Sequence, residues 1–328
     1  MKYLIYPLFI LSIGFTKLAA QERYLEEITD SVEFETFTYI EKAGQQLRLD
    51  VYLPAFDAEQ ERPVLLYVHG GGFSGGTRDN EGIKTFCSKV ARRGYVAVSI
   101  SYRLTRKDTE TKFGCDCPAT EKLATFSAAV EDVQDATYFL IENRELFGID
   151  PQQIILAGSS AGAEAILNAG YEPPYCYGLD SGPVSYAGLV SMAGAIPDTA
   201  KIYDDSAIPS MFFHGTCDNL VPYGTASHHY CDEKKPGYLV LNGSQAIAEK
   251  LRLLGKPYWL HTTCGGNHAL AGTPMTAYFD EIMQFCYDFV LHGSKDQIHT
   301  IVAGEHACGY PAFNYCSDGG EKKRSSAR

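Results

Sequence analysis

Residues 147–162 read FGIDPQQIILAGSSAG: a short apolar strand, 154–157, runs into Gly158-Ser159-Ser160-Ala161-Gly162 and then into the small, helix-compatible run AGAEAILNAG. A G-x-S-x-G turn between strand and helix lets its glycines bring neighbouring backbones close while the serine hydroxyl is pushed out over the sheet edge. The stretch therefore predicts a strand–turn–helix unit with Ser160 as nucleophile. Gly72-Phe73-Ser74-Gly75-Gly76 has the same spacing, but the Gly75-Gly76-Thr77-Arg78-Asp79-Asn80 that follows suits a loop, so Ser74 is set aside. Ser159 reads as a small residue that the turn tolerates.

The same alternation extends outward. Short apolar strands are expected at 64–68, 95–100, 189–192, 211–213 and 258–261, with helical three- and four-residue periodicity near 82–93, 121–147, 161–169, 243–254 and 276–291. A hairpin at 35–39 and 47–53 precedes them. Apolar strands separated by helices predict an α/β fold, a mostly parallel sheet covered on both faces. The 328 residues contain no internal repeat or Pro/Ser-rich linker, and one catalytic domain over 21–300 is expected.

Ligands of such a sheet bind outside the carboxyl ends of its strands. His69-Gly70-Gly71-Gly72-Phe73 follows one strand, and Gly70, Gly72 and Gly75 also fit G-x-G-x-x-G. A dinucleotide site needs a helix opening at those glycines and an acid ending the next strand, whereas that strand ends in Ser99, Ser101 and Tyr102. The better reading is an oxyanion loop, in which the N–H groups of Gly71 and Gly72, with that of Ala161, point at a tetrahedral intermediate. A serine hydroxyl also needs a base to take its proton and an acid to hold that base. Asp218 follows the strand PSMFFHG, while Asp198, Asp204, Asp205 and Asp232 read as solvated. His268 lies in the glycine-rich loop after YWLH, past the last expected strand. His261 reads as packed inside that strand, and His228 and His229 as part of a polar excursion. His292, His299 and His306 follow the last long helix. The expected set is Ser160, Asp218 and His268.

The composition is ordinary for a globular chain, with 45% hydrophobic and 21% charged residues. A formal charge of −12 argues against a nucleic-acid partner, which would call for clustered Lys and Arg. Residues 1–20, MKYLIYPLFILSIGFTKLAA, combine Lys2, an apolar run and a small-residue end, and predict a secretory signal peptide and an extracellular or periplasmic protein. The apolar run is shorter than the ~20 residues of a bilayer span, so no stable membrane insertion is expected. Ten cysteines in an exported chain argue for disulfides. Cys217, beside Asp218, and Cys264, just before His268, are expected to pair and brace acid against base; the rival is Cys217 with Cys231. Cys308 and Cys316, in a tail over 301–328, are expected to tie it to the body or to each other. Cys115-Asp-Cys117 and His228-His229-Tyr-Cys231 lack a paired metal-ligand spacing, so neither metal nor cofactor is expected.

Taken together, PVLLYVHGGGF, GYVAVSISYRL, AVEDVQDATYFLIEN, the FGIDPQQIILAGSSAG turn, HGTCDNLVP and GGNHAL resemble the α/β-hydrolase superfamily. Within it the chain is similar to the HGGG carboxylesterases related to hormone-sensitive lipase and to bacterial feruloyl and acetyl esterases. The resemblance covers most of 35–292. It implies Ser160, Asp218 and His268 as triad, Gly71, Gly72 and Ala161 as oxyanion hole, and His69 as a residue that orders the glycine loop. The segments before the first strand and between 195 and 208 are too short for a large cap or lid. The expected substrate is a small-molecule or polysaccharide-linked ester of a short or aromatic acid. Pocket walls are expected from 104–120, 171–186 and 219–238. A serine peptidase and a non-catalytic binding module on the same fold are the alternatives.

Overall fold

The computed structural model describes residues 22–42, 44–171, 184–304, 308, 313–316 and 323–326; the expected signal peptide lies outside them. Two antiparallel strands, β1 (Val32–Lys42) and β2 (Gln45–Pro54), form the hairpin, longer at both ends than the sequence pattern predicts. Then β3 (Arg62–Val68), α1 (Glu81–Arg92), β4 (Val96–Ile100), α2 (Ala119–Glu142), α3 (Arg144–Phe147), β5 (Ile149–Ser159) and α4 (Ala161–Tyr171) alternate as expected. After β6 (Gly188–Met192) and the two-residue β7 (Ala195–Ile196) come β8 (Ser210–Gly215), β9 (Thr225–Ser227), β10 (Val240–Gly243) and α5 (Ser244–Leu253). The chain continues through β11 (Tyr258–Cys264), α6 (Pro274–Ala277), α7 (Phe279–Phe285), β12 (Gln297–Ala303) and β13 (Lys323–Ser326).

The main sheet has ten strands in the order β1-β2-β4-β3-β5-β6-β8-β11-β12-β13, and every pairing from β4 to β12 is parallel. Side chains alternate across it. Val64, Leu66 and Val68 face a core shared with Phe126 and Val133 of α2 and Ile166 of α4, while Leu65 and Tyr67 face one shared with Phe86 of α1 and Ile282 of α7. Two buried faces explain why the strands read as continuous apolar runs. The chain passes from β3 outward to β4 and then returns to β5 on the other side of β3. That reversal opens a crevice at the carboxyl ends of β3 and β5, where an open α/β sheet binds its ligands.

Two expectations are corrected. YWLH does not end the parallel region, because β12 lies beside β11 in register from Tyr258↔Gln297 to Cys264↔Ala303 and runs past residue 300. Its sequence QIHTIVA places a histidine inside a weak apolar pattern, and that hid it. Cys217 pairs with neither Cys264 nor Cys231: the bridges are Cys115–Cys231, Cys217–Cys308 and Cys264–Cys316. Cys308 and Cys316 therefore tie the tail to the body. Cys87, Cys117 and Cys286 are buried thiols; Cys176 lies outside the described residues. No large cap stands over the sheet among the described residues, and none of their helices is long and apolar enough to cross a membrane.

Candidate active site

β5 ends in the main chain turn that the G-x-S-x-G spacing predicts. Ser160 has φ +50°, a left-handed conformation that costs an ordinary residue about 1–2 kcal/mol. Its N–H donates to Met192 O at 2.8 Å, and its carbonyl accepts from Glu164 N–H at 2.9 Å as α4 begins. Gly162 faces β3 so closely that a Cβ would overlap the Val68 carbonyl oxygen. These contacts hold the turn while the Ser160 side chain stays reachable from solvent.

The Ser160 hydroxyl donates to Nε2 of His268 at 2.8 Å, and Nδ1–H of His268 donates to Oδ2 of Asp218 at 2.7 Å. A buried carboxylate at Nδ1 fixes the proton there and leaves Nε2 as acceptor. Residues separated by up to 108 positions are thus joined in one hydrogen-bonded line. Asn267 caps the turn carrying His268, accepting from Ala269 N–H at 2.9 Å. Asp218 is fully buried, and its other oxygen, Oδ1, accepts from Leu220 N–H at 2.9 Å and Val221 N–H at 3.0 Å. Burial pushes its carboxyl pKa up, but hydrogen bonds from His214 and His268 outweigh that and hold it well below the usual carboxylate range.

His214 is a contact that sequence reasoning missed. It is fully buried, and its Nε2 faces both Val221 O at 3.1 Å and Asp218 Oδ2 at 3.3 Å, so that nitrogen carries a proton. Nδ1 then accepts from the Ser244 hydroxyl at 2.9 Å. His214 therefore helps to hold the Asp218 carboxylate in place. The available signal was its place on β8, four residues before Asp218.

Gly71, Gly72, Ser160, Ala161 and His268 border one cavity of about 450 Å³, with Asp218 behind His268. Gly71 has φ +125° and Gly72 φ +59°, and a Cβ on Gly71 would overlap the Gly75 carbonyl, so this loop conformation excludes larger residues at Gly71. His69 is buried beside the loop. Its Nδ1–H donates to Gly70 O at 2.7 Å, its carbonyl accepts from the Tyr102 hydroxyl at 2.9 Å, and its ring lies 4.6 Å from that of Tyr102. Burial lowers its pKa and favours the neutral ring. The Ser74 hydroxyl instead donates to Gly71 O within the loop, at 3.3 Å.

The remaining candidates separate cleanly. Asp198, Asp204, Asp205 and Asp232 are exposed, and His261 is buried with Nδ1 3.1 Å from Glu281. His228 and His229 contradict their reading as polar excursion: both turn inward and line the cavity with Phe113, Glu164, Leu220 and Val221. The polar partners of His228 come from distant helices, Lys122 of α2 and Glu164 of α4, which local polarity could not reveal. Of the expected walls, 104–120 and 219–238 contribute, and 172–183 lies outside the described residues. Cys115 and Cys231 are joined to each other rather than free as ligands, and no group of His, Cys, Asp and Glu among the described residues is arranged to hold a metal.

Residues 49–173 match the BD-FAE family model, a span that includes the glycine loop and the Ser160 turn. The chain is 31% identical over 160 residues to gut esterase 1 of Caenorhabditis briggsae, covering 47% of this chain and 27% of that protein. It is 30% identical over 155 residues to chlorogenic acid esterase of Aspergillus niger, covering 45% and 27%. The matched region spans about a quarter of the length of these two curated relatives. Among solved structures, the native form of the thermophilic esterase Est2 of Thermogutta terrifontis superposes with a TM-score of 0.58 at 19% identity, covering 79% of this chain and 92% of that one.

Proposed function

We propose that this chain, an α/β-hydrolase by its fold, is a secreted serine carboxylic-ester hydrolase that works through Ser160, His268 and Asp218 and a covalent acyl-enzyme. The observation that carries the reading is the continuous line from the Ser160 hydroxyl through His268 to Asp218, at 2.8 Å and 2.7 Å, opening on a cavity bordered by the glycine loop. His268 Nε2 takes the serine proton as Oγ attacks the ester carbonyl. The imidazolium that forms is stabilised by Asp218. The N–H groups of Gly71, Gly72 and Ala161 take up the negative charge of the tetrahedral intermediate. The alcohol leaves with the proton from His268, and water repeats the sequence to release the acid.

Secretion is supported by the leader-like residues 1–20 and by the disulfides, which persist in oxidising compartments. The preferred substrates are short-chain or carbohydrate-linked esters of the acetyl or feruloyl type. A cavity of about 450 Å³ is of small-ligand size, and a chlorogenic acid esterase is among the proteins the chain is similar to. A panel of chromogenic acetyl, butyryl, long-chain and feruloyl esters tests this. The short-chain and feruloyl members should be turned over and the long-chain members poorly, and Ser160→Ala should abolish turnover while the melting temperature stays close to wild type. Undiminished turnover by Ser160→Ala would overturn the reading.

A further inference from the structure

The cavity has two unlike walls. Phe113, Leu220 and Val221 are apolar, but opposite chemistry comes from Glu164, His228 and His229, which the acyl-transfer steps do not use. Glu164 lies in the first turn of α4, four residues and about 6 Å of helix rise after Ser160. It is 1% exposed, and its Oε1 has no hydrogen-bond partner, although His228 Nε2 is 3.3 Å away. Behind His228, the fully buried Lys122 Nζ donates to Gly237 O at 2.9 Å and to His228 Nδ1 at 3.3 Å, which leaves the His228 proton on Nε2, toward Glu164.

The backbone carrying the imidazoles is held in an unfavourable shape. His229 and Tyr230 both have left-handed φ, +56° and +52°. His229 N–H donates to Leu220 O at 2.8 Å, His228 N–H donates to Leu239 O at 2.8 Å, and the Cys115–Cys231 bridge anchors the next residue. Buried polar groups and strained residues both require compensation, and together they concentrate at sites that bind.

We propose that Glu164, His228 and His229 form a polar subsite that hydrogen-bonds a neutral hydroxyl carried by the substrate a few bonds from the scissile ester. This deepens, and rests on, the esterase reading. A charged substrate group finds no free counter-ion there, because Lys122 Nζ is already engaged by Gly237 O and His228 Nδ1 and the Glu164 carboxyl is buried. Burial pushes the Glu164 carboxyl up, lowers His228 well below the usual histidine range and takes His229 down to about 4, which favours uncharged groups that both donate and accept.

The test compares matched esters within each protein: 4-nitrophenyl 3-hydroxybutyrate against 4-nitrophenyl butyrate for a hydroxyl on the acid, and glyceryl monoacetate against propyl acetate for one on the alcohol. The ratio of kcat/KM, hydroxylated over plain, cancels any general loss of activity. In the wild type it should reach about tenfold in one arm, the effect of one well-placed hydrogen bond. It should fall to near one in Glu164→Leu and be partly kept in Glu164→Gln. His229→Leu, which leaves the buried Lys122–His228–Glu164 line intact, should also lower it, and His229→Asn should retain more of it. A wild-type ratio near one in both arms, or a ratio unmoved by both leucine substitutions, overturns the subsite while leaving the esterase reading in place. Absence of turnover of every ester by the wild type, with no labelling of Ser160 by a fluorophosphonate, overturns both.

Discussion

Ser160 and the glycine loop leave β5 and β3 in the middle of the sheet, whereas Asp218 and His268 leave β8 and β11, toward the β13 edge, and the two pairs are held in place differently. Around Ser160 the restraint is steric: Gly162 against the Val68 carbonyl and Gly71 against Gly75 leave no room for a side chain, and among the described residues no disulfide has an end in either turn. Around the acid and base the restraint is lacing. Cys217 N–H donates to Gly266 O at 2.8 Å, Gly265 N–H to the Thr216 hydroxyl at 2.8 Å, and Thr216 N–H to Thr263 O at 3.1 Å. Each of these two loops is also bridged to the tail, through Cys217–Cys308 and Cys264–Cys316. Tyr315 of that tail meets the Tyr223 hydroxyl at 2.8 Å. All four strands have neighbours on both sides, so the difference lies in the loops: those after β3 and β5 are fixed by close backbone approach, those after β8 and β11 by added connections.

Four variants probe that contrast. Asp218→Asn keeps the shape of the acid but offers His268 the wrong partner, and kcat on a short-chain ester should fall by about 10⁴-fold with the fold intact. Gly162→Ala forces β3 and the Ser160 turn apart; ester turnover should fall by about 10²-fold or more, with a lower melting temperature. Removing the tail bridges with Cys308→Ser and Cys316→Ser should destabilise the protein by about 2–4 kcal/mol in denaturant titration. Turnover should drop only a few-fold, because the backbone lacing between the loops remains. An activity loss as large as that of Gly162→Ala would show that lacing alone cannot hold acid and base. Asn80→Ala, four residues past the glycine loop and outside the cavity lining, removes the cap that accepts from Ile83 N–H at 3.0 Å. It should cost about 1 kcal/mol of stability and leave kcat/KM unchanged.

The parts of this molecule that were legible in the sequence are those decided locally. Strand, turn and helix around Ser160 follow from apolar periodicity and glycine placement within a dozen residues, and Asp218 and His268 could be selected because each follows a strand end. The parts that were not legible depend on residues meeting across the fold. His228 looks solvated in HHYCDEKK, yet it is buried by Lys122 of α2 and Glu164 of α4. Cys217 and Cys264 do lie on neighbouring loops, but proximity of loops does not fix the direction of a thiol, and both reach the tail instead. β12 was hidden because its polar residues find partners, such as His299 on the Thr262 hydroxyl at 2.8 Å, that no periodicity records.

On the proposed mechanism the Ser160 hydroxyl, and no other, is activated by His268. Mass spectrometry of the intact protein after brief exposure to a fluorophosphonate, followed by peptide localisation of the adduct, decides whether this holds. One adduct per chain on Ser160, lost in His268→Ala, is the predicted result; an adduct on Ser74 or Ser159, or labelling of Ser160 that survives the loss of His268 at an unchanged rate, would contradict it.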